Sequence, residues 1–171
     1  DLYFIEIVYT LYKMDQAHDI KDKYKKNMEL LIKHYISYID DNGLIKKTPG
    51  WHISDWPYPS VDHEGEYLTY ENMLFYRVLK MYISMFEEKK YSDVLYKIKS
   101  AIISTFKNDG LYIDCTKSHN KHQGLQAFAL LNGFFESYET ENALKYIVKL
   151  GFDSRIIYGK YVLEALFTYQ L

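Results

Sequence analysis

The sequence predicts an all-α fold built from antiparallel helical hairpins. Three observations carry that expectation. Apolar residues recur at helical spacing along nearly the whole chain. No segment alternates convincingly as a strand, and Tyr112-Ile113 is expected to form a short bridge at most. Gly-terminated amphipathic segments also recur, at Asp41-Asn42-Gly43-Leu44-Ile45, at Asn108-Asp109-Gly110-Leu111-Tyr112 and, in degenerate form, at Gly151-Phe152.

Seven helices follow in order. Residues 2–14 are apolar on more than one face. Residues 18–40 carry Ile20, Tyr24, Met28, Leu31, Tyr35 and Ile39 in steps of three or four, with Lys and Glu opposite, so one face is buried. Gly43 is expected to stop that helix as a left-handed cap. A Pro- and Gly-containing loop spans 44–65, and helical spacing resumes at 66–87. The next helix, 92–107, has Ser92 as its N-cap and Val94, Leu95, Ile98, Ile102 and Phe106 on one face. It ends at Asn108-Asp109-Gly110. Residues 123–135 are apolar almost all round, as in a helix buried on both sides. A shorter amphipathic helix covers 140–150, and the last occupies 160–170.

Two helix classes thus alternate, one with a wet face and one largely buried. Stacked hairpins with an inner and an outer layer account for this. Helices 2–14, 66–87, 123–135 and 160–170 would be inner; 18–40, 92–107 and 140–150 would be outer. The longer loops precede inner helices, so they gather at one end, where a rigid scaffold usually carries its site.

Composition narrows the function classes. The chain has 171 residues, 48% hydrophobic and 26% charged, which disfavours disorder and suits a single helical domain over 1–171. No apolar run approaches the roughly 18 residues of a membrane span. Cys115, alone, forms no internal disulfide, so a reducing, cytoplasmic location is expected. Net charge is -2 with both signs interspersed, against a nucleic-acid partner. Asp1 leads directly into a helical pattern with no initiator Met, so the chain is expected to be a piece of something longer. Its 19 tyrosines suit a crowded core or a cleft where rings stack on sugar faces.

The richest stretch for chemistry is Trp51-His52-Ile53-Ser54-Asp55-Trp56-Pro57. A loop Trp can stack on an apolar ligand face and donate through its indole N–H. Asp55 could accept hydrogen bonds from vicinal hydroxyls; alternatively the two indoles plug the loop and Asp55 caps a turn. Asp62, Glu64 and Glu66 add carboxylates, as an acid and base pair for glycoside hydrolysis would require. Glu64 and Glu66 could equally favour the positive end of the next helix. His63, His119 and His122 lack the ligand pattern of a known zinc site, so no metal is expected. No phosphate loop, nucleophile elbow or dinucleotide fingerprint is present, so no cofactor is expected.

Taken in order, these features resemble the middle of the helical barrel of bacterial α-L-rhamnosidases, within the six-hairpin glycosidases. The features are the helix with Tyr9 and Tyr12, the helix ending Asp41-Asn42-Gly43-Leu44, and the Trp51-x-x-x-Asp55-Trp56 loop. Glu64-Gly65-Glu66, Asn72-x-x-x-Tyr76, Gly110-Leu111-Tyr112 and Gln126-Ala127-Phe128-Ala129-Leu130 follow. The resemblance implies an incomplete (α/α)6 toroid from an enzyme that hydrolyses terminal α-L-rhamnosides with inversion. It puts the acid upstream of this segment and the base downstream, so no catalytic residue is carried over and the isolated chain is expected to be inactive. Trp51, Asp55 and Trp56 are carried over as walls of the sugar subsite.

Two other classes stay open: a non-catalytic helical repeat module that binds a protein, and an unsaturated uronyl hydrolase. The latter should offer cations to a substrate carboxylate, yet the arginines, Arg77 and Arg155, lie outside the Trp loop. An arc of seven helices would also leave apolar flanks on its end helices, for which a homodimer through those ends is expected.

Overall fold

The structure is a computed structural model that describes residues 1–14, 19–47 and 63–170. Among these residues lie seven α-helices: α1 (Leu2–Lys13), α2 (Ile20–Ile36), α3 (Thr69–Phe86), α4 (Ser92–Phe106), α5 (Gln123–Leu131), α6 (Ser137–Lys149) and α7 (Ile156–Thr168). A 3-10 turn at Lys89–Tyr91 precedes α4. Two short strands, β1 (Lys107–Asn108) and β2 (Leu111–Tyr112), pair antiparallel. The fold is all-α, as the periodicity requires.

Several boundaries differ from the sequence expectation, each for a local reason. The two Asn/Asp-Gly turns do not cap helices. Asp109 and Gly110, with φ of 48° and 75°, sit between Lys107↔Tyr112 and Asn108↔Leu111. Two central residues with positive φ make the turn whose twist matches a hairpin. In the same way Ile39 bridges Ile45 across Asp41-Asn42-Gly43, so α2 stops four residues earlier, at Ile36. Helix α5 ends at Leu131 rather than 135. There Gly133 N–H donates to Leu130 O and Phe134 N–H to Ala129 O, with Gly133 at φ 72°. That is the Schellman arrangement. Helix α6 begins at Ser137, because the Glu139 carboxylate reaches back to Glu136 N–H at 2.8 Å. Helix α7 begins at Ile156 and contains Gly159, which was expected to precede it.

Contacts cluster in two compact units. The first comprises Asp1–Lys46 and Glu71–Ala101. Its core joins Leu2, Ile5 and Val8 of α1 to Met28 and Ile32 of α2 and to Met73, Phe75, Leu79 and Tyr82 of α3. Aromatic pairs orient the helices: Phe4 meets Tyr24 edge-on at 5.4 Å and Tyr35 stacks on Phe75 at 5.9 Å. Glu6 and Arg77 form a largely buried ion pair at 3.0 Å.

The second unit comprises Lys47–Tyr70 and Ile102–Leu171. Helix α5 is its centre, with its first eight residues buried, while α6 buries only Ala143 and Ile147. This reproduces the expected contrast between inner and outer helices. Tyr70, Phe128, Tyr158 and Tyr161 form an edge-to-face cluster with centroids 4.7–6.4 Å apart. Tyr112 is fully buried and donates its hydroxyl to Phe134 O at 2.7 Å. Burial pushes that hydroxyl far above the usual tyrosine range.

The repeat seen in the sequence has a physical counterpart within each unit. In the first, the Asn72 amide brackets Ile45, accepting from its N–H at 2.8 Å and donating to its C=O at 3.1 Å. In the second, the Gln126 amide brackets Tyr112 in the same way, at 2.8 and 2.7 Å. Each clamp supplies a buried backbone segment with the partners that a sheet would otherwise give it.

Candidate functional site

The described loops before α3 and α5 meet inside the second unit. Residues 65–69 run against 113–116. Leu68 and Cys115 bridge antiparallel, and Thr116 N–H donates to Tyr67 O at 3.1 Å. Tyr67 N–H donates to Thr116 Oγ1 at 3.2 Å, and Thr69 N–H to Asp114 O at 3.0 Å. Gly65 makes this approach possible: a Cβ there would sit 2.6 Å from Thr116 O and 2.7 Å from Cys115 Cβ. Its N–H donates to Cys115 Sγ at 3.2 Å.

A half-open cleft of about 710 Å3 lies along this seam, lined by Glu64, Gly65, Glu66, Tyr67, Thr116 and Lys117. That volume is in the range of small-ligand sites. Glu64 and Glu66 are exposed, and so is Lys117, which holds a φ of 68°. A non-glycine residue with positive φ is uncommon and costs energy that the surrounding bonds must supply. Two carboxylates can accept and one ammonium can donate, a set suited to a polyhydroxylated ligand. Lys47 joins the same place, with its N–H on Glu66 O at 2.9 Å and its Nζ on His63 O.

The other sequence candidates fall as follows. Trp51, Asp55, Trp56 and Asp62 lie outside the described residues. His119 is exposed, whereas His122 is buried and caps α5 by accepting Gly124 N–H at Nδ1, 3.1 Å away. Among the described residues no group of three or more His, Cys, Asp or Glu is arranged to hold a metal ion. Cys115 is buried. Sequence reasoning missed Asp114, which ties the loop carrying Thr116 and Lys117, and the buried amides of Gln123, on the turn into α7, and Gln126, on Tyr112. The one available signal was two glutamines inside the otherwise apolar run QGLQAFALL.

The chain superposes on a segment of the crystal structure of a GH78 family rhamnosidase of Bacillus sp. GL1, with a TM-score of 0.82 and 16% identity. The match covers 99% of this chain and 19% of that one, so the chain spans about a fifth of that protein's length. At such identity the likeness establishes the fold, which is the one the sequence resemblance implies. No protein-family model and no curated protein matches the chain.

Proposed function

We propose that the chain is part of the helical barrel of a glycoside hydrolase similar to inverting α-L-rhamnosidases, acting on terminal α-L-rhamnosides. The superposition on a rhamnosidase across nearly the whole chain is the observation that carries this reading. In it, residues 1–171 form one helical domain, an incomplete (α/α)6 toroid. Trp51, Asp55 and Trp56 wall a sugar subsite, the rings stacking on the pyranose and Asp55 accepting from its hydroxyls. The cleft at Glu64–Tyr67 and Thr116–Lys117 supports it by offering polar groups on the same run of loops. Among the described residues no helix is long and apolar enough to cross a membrane; a cytoplasmic location is part of the proposal.

Trp51 and Trp56 are the chain's two tryptophans, so indole emission reports on that loop alone. Titration with L-rhamnose is expected to shift or quench the emission with a millimolar midpoint, and Asp55→Ala to weaken the response about tenfold or more. D-Glucose is the control. Emission indifferent to L-rhamnose at high concentration would remove the subsite.

A homodimer belongs to the same reading. Helix α1 exposes Ile7 and Leu11, and α7 exposes Ile156, Leu163 and Phe167, the last at 89%. Apolar flanks of this kind mark interfaces. Sedimentation at micromolar concentration is expected to show a dimer that Phe167→Glu converts to monomer. A monomeric wild-type chain would exclude it.

A further inference from the structure

We infer that Asp114, buried in the segment that leads to Thr116 and Lys117, closes their loop and so holds Lys117 in the cleft wall. Asp114 is 2% exposed. It opens the loop that ends at His122, and its carboxylate and its N–H both tie that loop. Oδ1 accepts from His122 N–H at 3.1 Å, and Oδ2 accepts from the Asn120 side-chain amide. Its own N–H donates to Asn120 O at 3.0 Å, and its C=O accepts from Thr69 N–H at 3.0 Å. One residue therefore closes the loop as a ring and fastens it to the segment entering α3.

The ring is needed because the loop is otherwise costly. Lys117 has a φ of 68°, which an L side chain adopts only when its surroundings enforce it. Two further bonds within the loop are short-range: Ser118 N–H to Cys115 O at 3.2 Å and Asn120 N–H to Ser118 Oγ at 3.0 Å. Neither reaches from one end of the loop to the other. The carboxylate joins residue 114 to residues 120 and 122, beside the backbone bond from Asp114 N–H to Asn120 O. Opening that tie loosens Lys117 on one side of the cleft, while Thr116 stays bonded to Tyr67.

Tryptic cleavage after Lys117, measured against cleavage after exposed Lys149 on the intact chain, tests this. Cleavage in a folded protein follows the population of the locally open state. Asp114→Asn leaves an acceptor for His122 N–H but turns an amide toward the Asn120 amide. Cleavage after Lys117 is then expected to rise about tenfold or more, with Lys149 unchanged. The exchange Asp114→Asn with Asn120→Asp restores donor to acceptor in reverse and is expected to return the protection. Asn120→Ala, which leaves Asp114 in place, should open the loop as well and serves if Asp114→Asn does not fold. Unchanged cleavage in Asn120→Ala, or an exchange variant cut as fast as the single ones, would overturn the assignment.

The consequence for sugar binding rests on the function proposed above, whereas the holding of the loop does not. Rhamnose-dependent indole emission in wild type tests the former by itself. A silent emission with the cleavage pattern intact would discard the sugar and keep Asp114.

Discussion

Gly124→Ala is expected to cost about 2–3 kcal/mol of stability, a large loss for the addition of one methyl group. A Cβ on Gly124 would lie 2.2 Å from Tyr158 Cβ, 2.5 Å from Tyr158 Cγ and 2.9 Å from Ser154 Oγ. The nearest of these atoms is fixed to the α7 backbone, so no rotamer change relieves the clash. Helix α5 cannot withdraw, because its first eight residues are buried. Relief requires α5 and α7 to separate, which breaks the contacts of Tyr158 with Tyr70 and His122, at 4.8 Å each. Against this, alanine gains up to about 1 kcal/mol of helix propensity over glycine, so the gross strain exceeds the net loss. Gly133→Ala is the control. Gly133 has a φ of 72° and nothing within 4 Å of a Cβ, so its cost is conformational only, about 1 kcal/mol. Urea denaturation read by far-UV dichroism compares the two. A Gly124→Ala chain as stable as wild type would mean that α5 and α7 do not approach this closely.

Gly124 also shows what a sequence discloses and what it withholds. The burial of 123–131 was legible, because an apolar run at helical spacing has no wet face to offer. Its glycine carries no local mark of its role, since nothing nearby says that a tyrosine 34 positions later stands against it. The helix ends failed for a related reason. Glycine with positive φ serves both a helix cap and a hairpin turn, and Asn108-Asp109-Gly110 reads as either. The residues that decide are the pairs that face across the turn, Ile39 with Ile45 and Lys107 with Tyr112, and pairing is not a local property. At the cleft, Glu64 and Glu66 were visible as acids beside a glycine. Thr116, Lys117 and Asp114 were not, because their role depends on which strand they lie against.

The buried amides are the extreme case, and Gln123 is where the effect should be largest. Its side chain is fully buried and makes four hydrogen bonds. Nε2 donates to Ile147 O at 2.7 Å and to Gly151 O at 2.8 Å. Oε1 accepts from Asp153 N–H and Ser154 N–H, both at 3.0 Å. One amide thus satisfies the last carbonyls of α6 and the turn that leads into α7, groups that a helix end leaves without partners. Gln123→Leu fills the space and removes all four bonds. Gly151 and Asp153 are exposed and can turn to water, whereas Ile147 and Ser154 are buried. Two buried groups stranded at about 1–3 kcal/mol each give an expected loss of about 2–6 kcal/mol. Gln123→Glu separates hydrogen bonding from volume. The acid keeps the acceptor but, once ionised, points a charge at two carbonyl oxygens and loses both donors. Burial and that repulsion raise its pKa in the folded chain above the unfolded value. The folded state then binds more protons than the unfolded one, so the penalty is greatest above the folded pKa and shrinks as pH falls through it. Relative to wild type, Gln123→Glu should therefore gain urea resistance between about pH 7 and pH 4.5, while Gln123→Leu keeps a constant deficit. A Gln123→Glu deficit that stays flat across that interval would show that the amide does not meet those carbonyls.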